Sequence, residues 1–351
     1  MYGNGVVARG ILIVTRFFLG LVIVGTALCC PAVAADVTHG KITAMSQVDS
    51  PWDKIWDHFK ARSAQDSTLE LEFYIRGELG TEEEMLGALR RNRVQVGGIT
   101  MWGLAGLIPE AAIPMIPFLF ESTEEVDSIF DNFLVEPFNA LLSEKGMVFM
   151  QWSEVGWNSL YGNKPFLVPT DTKGVRLRGS PNFAAQAYLT AVEADPVPLG
   201  VADIVPALQT GLIDGGLSGL IYFYYSLRDF ATDFTETKHS YDQGVEMANK
   251  QWWDSLDVNQ QRTIKESWMP LDKARTLVRS LAVNLRSEMI SEGMAVHRLS
   301  PEQRDLWVSA TAPTHRQIIQ EVGGRAQDIY NAILEGKRAF SRNLAAGESD
   351  R

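Results

Sequence analysis

The chain has 351 residues, 46% of them hydrophobic and 21% charged, an ordinary globular composition that excludes a disordered or collagen-like chain. Its formal charge of −11, without a long Lys/Arg run, excludes the phosphate neutralisation that dominates nucleic-acid binding. The length suits two domains of about 150 residues each.

Residues 1–35 read as a secretory signal. Arg9 and Arg16 form a basic start, Phe17–Cys30 is apolar, and Ala32-Val33-Ala34 is a small-x-small cleavage signature, placing the cut near Ala34/Ala35. The apolar run is shorter than the roughly 20 residues of a spanning helix, so it reads as a leader rather than an anchor. Both cysteines, Cys29 and Cys30, leave with it, so no disulfide is expected. The other long apolar stretch, Ala105–Phe120, carries Glu110, Pro109, Pro114 and Pro117 and reads as a loop and core segment.

Along the rest of the chain, Thr38–Met45 and Leu69–Ile75 read as strands. Pro51–Ala64 between them reads as a helix with Trp52, Ile55, Trp56 and Phe59 on one stripe. Strand, helix, strand is the unit of a parallel sheet. Thr81 and Glu84 form a capping box for a helix ending near Asn92, with Val94–Gly98 a strand after it; Glu82 and Glu83 read as helix-start charges. Ser122 and Glu125 suggest a second box, opening a helix whose buried face is Val126, Ile129, Phe130, Phe133 and Leu134. Met147–Trp152, Val175–Arg178 and Leu212–Asp214 read as strands, and Pro181–Val192 and Val201–Gln209 as helices. From about Gly244 the pattern becomes mostly helical, with Leu271, Ala274, Val278, Leu281, Leu285 and Met289 along one long helix. Ser300-Pro301 marks a further helix start around Trp307.

Enzymatic chemistry finds little support. The five histidines His39, His58, His239, His297 and His315 are scattered, without metal-ligand spacing, and no phosphate-binding glycine loop occurs. Gly216-Leu217-Ser218-Gly219-Leu220 resembles a nucleophile elbow but lacks the final glycine. No cofactor or metal is expected. One basic residue stands out. In Gly174-Val175-Arg176-Leu177-Arg178-Gly179, Arg176 and Arg178 share one strand face, and Arg178 is the last residue before the strand ends. In open α/β folds ligands bind beyond the carboxyl ends of strands, and a guanidinium fork there suits a carboxylate.

Several motifs occur in an order that resembles the extracytoplasmic solute-binding proteins of TRAP transporters, of the DctP type, over about residues 38–320. They are Gly77-Glu78-Leu79-Gly80, Val94-Gln95-Val96-Gly97, Ile108-Pro109-Glu110-Ala111, Ile116-Pro117-Phe118-Leu119-Phe120, Lys173-Gly174-Val175-Arg176-Leu177-Arg178, Asp195-Pro196-Val197-Pro198 and Ala207-Leu208-Gln209-Thr210-Gly211-Leu212-Ile213-Asp214-Gly215. The resemblance implies an α/β periplasmic-binding-protein clamshell of two lobes, with hinge strands and a long helix spanning both. Lobe I would hold residues 36–155 and 244–283, and lobe II residues 156–243 and 284–351. The implied function is a periplasmic receptor, not an enzyme, that binds a small organic acid between the lobes. Arg178 would grip the carboxylate, and the receptor would deliver the ligand to membrane permease subunits driven by an ion gradient.

Departures from the family pattern bear on the ligand. Ser218 stands where the family usually has an asparagine that assists the carboxylate, in a segment where Gly216 and Leu217 replace glutamine and glutamate. Asn158 stands where some members carry a second arginine, and Thr100 where sugar-acid binders place an acidic contact. With Trp102, Trp157, Tyr222, Phe223 and Tyr224 nearby, these imply a cleft with fewer charges than in those members and a monocarboxylate with an apolar or aromatic body. The expected ligand-contacting residues are therefore Arg178, Ser218, Asn158, Thr100, Trp102 and Tyr222. Two other readings fit the residues: a secreted serine hydrolase using Ser218 with His239 as base, or a receptor reporting to a sensor kinase.

Overall fold

A computed structural model describes residues 37–349; the secretory leader and its cleavage site lie outside them. Nine strands form one sheet: β1 Thr38–Thr43, β2 Leu69–Tyr74, β3 Val96–Thr100, β4 Met147–Gly162, β5 Arg176–Gly179, β6 Asp195–Pro198, β7 Gly215–Gly219, β8 Asp233–Asn249 and β9 Ala295–Arg298. Their spatial order is β2-β1-β3-β8-β4-β7-β5-β6, with β9 also on β8.

The opening strand–helix–strand forms as expected. β1 and β2 pair in parallel from Thr38↔Leu69 to Thr43↔Tyr74, and the crossover helix Pro51–Ser63 buries Ile55, Trp56 and Phe59. The capping box at Thr81 is complete. Ser122 caps its helix through Glu125 N, but the Glu125 carboxylate turns to Glu121 N and Lys337 instead of Ser122 N, so the second box is only half made.

The main departure lies in the two longest strands. The expected Met147–Trp152 strand runs on to Gly162, and β8 occupies Asp233–Asn249, through the point where a turn to helix was read. They pair antiparallel from Met147↔Asn249 to Gly162↔Asp233, with bulges at Phe149/Gln151, Glu154/Gly156 and Asn158/Leu160. Gly156 sits at one bulge with φ 114°, a conformation that a side chain would strain. β7 also forms later than expected: Asp214 leaves the ladder to pair with Arg176, and Gly215–Gly219 becomes the strand.

This ladder organises the molecule. β3 joins the carboxyl-terminal part of β8 (Val96↔Ala248 to Thr100↔Gly244), while β7 joins the carboxyl-terminal part of β4 (Asn158↔Gly219 to Gly162↔Gly215). Because β4 and β8 run in opposite directions, the half-sheet β2-β1-β3 and the half-sheet β7-β5-β6 attach at opposite ends of one shared pair. That is the two-lobed α/β arrangement, with β4 and β8 crossing between lobes.

The helix Leu271–Ser291 lies across both halves. Ala274, Val278 and Leu285 pack in one apolar cluster with Ile55 from the first half and Ile221 from the second. Its basic face is pinned by carboxylates. Arg275 pairs with Asp127 and Asp131, and Arg279 with Asp127 and with Glu154 of β4, which is fully buried and also takes hydrogen bonds from Tyr241 and Gln243. Glu154 stands in the middle of the crossing strands, so this network fixes the long helix to the ladder.

Candidate functional site

A cavity of about 180 Å³ opens between the two half-sheets, and all six residues expected from the sequence line it: Thr100 at the end of β3 and Trp102 just after it, Asn158 on β4, Arg178 on β5, Ser218 on β7, and Tyr222 just beyond. The positions come from chain segments far apart in sequence, brought together where the strands of each half end at the crossing ladder.

Arg176 and Arg178, indistinguishable by alternation, have opposite environments. Arg176 is exposed and committed: Nε and Nη2 donate to both Asp214 oxygens at 2.9 and 2.6 Å, and Nη1 donates to Gly211 O at 2.6 Å. Arg178 is only 6% exposed. Its Nε donates to Leu199 O at 2.9 Å and its Nη2 to Ser180 Oγ at 3.3 Å, while no carboxylate among the described residues lies within 4.0 Å of it. Two protein acceptors leave most of its five N–H donors unspent. Burial lowers its proton affinity, with the Tyr161 and Tyr222 hydroxyls and Glu82 acting the other way. A buried guanidinium with no carboxylate in contact is costly, and an anion entering the cavity would relieve that cost.

Gly216 gives room for this arrangement. It pairs with Arg178 on one side and Tyr161 on the other. A Cβ there would come within 2.9 Å of Arg178 Cβ, Arg178 O and the Tyr161 hydroxyl. The glycine that interrupts the family motif therefore lets Tyr161 pack beside the arginine.

Ser218 and Asn158 are buried beside the cavity. Ser218 Oγ donates to Gly219 O at 2.9 Å, and Asn158 Nδ2 has no hydrogen-bond partner among the described residues. The Ser218 and His239 side chains do not hydrogen bond each other; the His239 ring is buried, joined to Thr237 Oγ1 at 2.9 Å and stacked on Tyr188 at 4.2 Å. Burial pushes its pKa down to about 3.

The cavity holds charges that the sequence reading did not place there. Three carboxylates, Glu82, Asp242 and Glu246, line the cavity with Arg178. Thr100 is the key to the first. Its N and Oγ1 donate to Glu82 Oε1 and Oε2 at 2.7 and 2.9 Å, so the acid absent at position 100 arrives from the helix start 18 residues earlier. Glu82 is thus no solvated helix-start charge; its proton affinity is raised by burial, with Thr100 and Arg178 holding it down. Asp242 and Glu246 stand on one face of β8, where helix had been read. Burial and the charge of Glu82 raise Asp242 well above the usual carboxylate range, and burial pushes Glu246 up to about 7. The period-two pattern Asp242-x-Gly244-x-Glu246, with Tyr241, Val245 and Met247 buried on the other face, was the available signal.

The aromatic expectation divides. Trp102 and Tyr222 line the cavity. Trp157 packs edge-on against Tyr241, Phe223 is fully buried core, and the Tyr224 hydroxyl donates to Glu288 at 2.6 Å. Trp52 and Trp56, read only as a helix stripe, also line the cavity.

Comparison with known proteins fits this geometry. The sequence model of "Bacterial extracellular solute-binding protein, family 7" (DctP) matches residues 44–321. The chain belongs to this family of solute-binding proteins. Among its relatives is the C4-dicarboxylate-binding periplasmic protein DctP of Vibrio cholerae, 25% identical over 275 residues, covering 75% of this chain and 79% of that protein. The ectoine-binding periplasmic protein TeaA of Halomonas elongata is 22% identical over 290 residues, covering 80% and 84%. Among solved structures, the sugar acid binding protein of Advenella mimigardefordensis in complex with galactonate superposes with a TM-score of 0.80 at 20% identity, covering 87% of this chain and 99% of that one. A TRAP periplasmic solute-binding protein of Shewanella oneidensis with bound succinate gives 0.78 at 22% identity, covering 86% and 100%. These structures share the fold. Among the described residues, no helix is long and apolar enough to cross a membrane.

Proposed function

We propose that the interlobe cavity of this DctP-family receptor takes a small organic acid by its carboxylate, that the protein works in the periplasm, and that it delivers the ligand to the membrane subunits of a TRAP transporter. The observation that carries the reading is Arg178, 6% exposed in the cavity wall and without an ion-pair partner among the described residues. Relatives that bind C4-dicarboxylates and galactonate support an acidic ligand. Ser218 and Asn158 are the neutral donors beside the carboxylate; Thr100, Trp102 and Tyr222 shape the wall around the rest of the molecule. The lobes divide along the β4–β8 ladder near residues 155 and 244. Ligand touching both would stabilise the closed form and exclude water, strengthening the ion pair.

Calorimetric titration with organic acids tests this. Arg178→Ala should cost about 2–5 kcal/mol of binding free energy, the range for truncating one partner of a buried charge pair. Arg178→Lys should also bind poorly, because one ammonium does not reproduce the planar fork. Unchanged affinity in Arg178→Ala would refute the assignment.

A further inference from the structure

Among the described residues lining the cavity, Arg178 is the only lysine or arginine, and Glu82, Asp242 and Glu246 are the only aspartate or glutamate residues. A bound carboxylate neutralises Arg178, after which Glu82, Asp242 and Glu246 dominate the remaining space. Burial raises the proton affinity of all three, so a cation among them would favour their ionised, attracting form, whereas a second carboxylate on the ligand would find no counter-charge there.

The three acids differ in what they have left to offer. Glu82 has both oxygens engaged by Thr100. Asp242 and Glu246 are 3% and 2% exposed, and Asp242 Oδ1 and Glu246 Oε2 have no hydrogen-bond partner among the described residues. Four residues apart on β8, they project from the same strand face, with Gly244 between them leaving the wall open. Glu246 also sits beside an aromatic surface. A Cβ built on Gly98 would come within 2.5 Å of Glu246 Oε2 and 3.0 Å of the Trp56 ring. A carboxylate next to an indole is the combination that receives an organic cation, by charge and by cation–π attraction. A metal ion is the other cation that carboxylates receive, but no group of three or more His, Cys, Asp or Glu side chains is placed to hold one among the described residues.

We infer that the ligand is a zwitterion, whose carboxylate lies on Arg178 and whose ammonium or amidinium group lies at Glu246 against Trp56, with Asp242 adding to the field from farther along the same strand face. This rests on the carboxylate reading of Arg178 given above. It replaces the apolar-bodied acid that the sequence suggested, and it disfavours dicarboxylates.

The test is calorimetric titration of the exported protein with three zwitterions and their carbon-for-nitrogen counterparts: glycine betaine with 3,3-dimethylbutyrate, γ-butyrobetaine with 5,5-dimethylhexanoate, and 5-aminovalerate with hexanoate. The two betaine pairs differ in the cationic charge without any N–H donor, and the third pair adds the three N–H donors of a primary ammonium. The expected result is at least one zwitterion binding about tenfold or more tightly than its counterpart, a difference of about 1.4 kcal/mol, with that preference lost in Asp242→Asn or Glu246→Gln. Both variants keep side-chain shape and remove a buried charge, so they should fold, as urea unfolding will verify. Counterparts that bind as tightly as the zwitterions, with binding abolished by Arg178→Ala, overturn the zwitterion assignment and leave the carboxylate reading standing. A preference unchanged in both carboxamide variants, or one that vanishes in EDTA, also overturns it, the latter assigning the acids to a metal ion. Absence of binding by all six acids, or binding indifferent to Arg178→Ala, overturns both readings.

Discussion

Replacing Glu246 by glutamine removes a buried carboxyl group whose pKa the fold pushes from 4.5 to about 7. In the unfolded chain the proton leaves near pH 4.5; in the folded chain it stays until near pH 7. Between those values the folded state holds more protons, so rising pH withdraws stability, and above both values the loss is complete. At roughly 1.4 kcal/mol per pH unit between the two values, the ligand-free protein loses about 3 kcal/mol to this one group between pH 4.5 and 7. Glutamine has no such proton to lose. Relative to wild type, Glu246→Gln should therefore gain about 3 kcal/mol across that window. Asp242 titrates in both proteins, so its contribution largely cancels in the difference. Urea unfolding followed by tryptophan fluorescence, at several pH values from about 4 to about 8, measures the effect directly, with the dependence on urea checked for equal slope. Parallel pH profiles for the two proteins, or a variant that loses ground as pH rises, would refute the argument that Glu246 is buried without a compensating charge.

Three further perturbations separate the roles around the site. Gly216→Ala places a methyl group within 2.9 Å of Arg178 and the Tyr161 hydroxyl; it should cost about 1–3 kcal/mol in urea unfolding and weaken ligand binding. An unaltered midpoint and affinity would show that the strand relaxes freely. Arg176→Ala should leave ligand affinity as it is, since that side chain is exposed and spent on Asp214, whereas Arg178→Ala removes binding. Equal losses in the two variants would mean that the wrong arginine faces the ligand. Arg279→Ala strips Glu154, which is fully buried, of its closest cation and should cost about 3 kcal/mol, with partial recovery in Arg279→Lys. A midpoint equal to wild type would show that Arg275, Tyr241 and Gln243 suffice.

Much of the local structure was legible because its causes are local. The capping box at Thr81, the Ser300-Pro301 start and the apolar stripe of Leu271–Ser291 depend on residues a few positions apart, and the parallel β1–β2 unit on one strand–helix–strand run. The half-made box at Ser122 shows the limit. Glu125 had the right spacing, but Lys337 and Glu121 N, presented by the folded chain, hold its carboxylate away from Ser122 N. The β8 strand was missed for a related reason. Flanked along its edges by β3 and β4 and buried along nearly its whole length, it carries polar residues such as Asp242, Gln243 and Glu246 in its interior, so its alternation separates cavity from core rather than water from core.

Residue type and order alone pointed to an exported α/β solute-binding protein and to six positions that share one cavity, because motif order survives when most side chains change. They did not reveal the charge of that cavity. Whether an arginine is satisfied or bare, and whether an aspartate faces water or a closed cleft, depends on partners that only folding brings together, from Asp214, 38 residues beyond Arg176, to Glu82, far upstream of Asp242. Folding placed Asp214 on Arg176, only neutral acceptors on Arg178, and in the same cavity two carboxylates of β8, each with one oxygen lacking a hydrogen-bond partner among the described residues. Electrostatic energy follows distance in space and local dielectric, and neither is written in the spacing of residues along the chain.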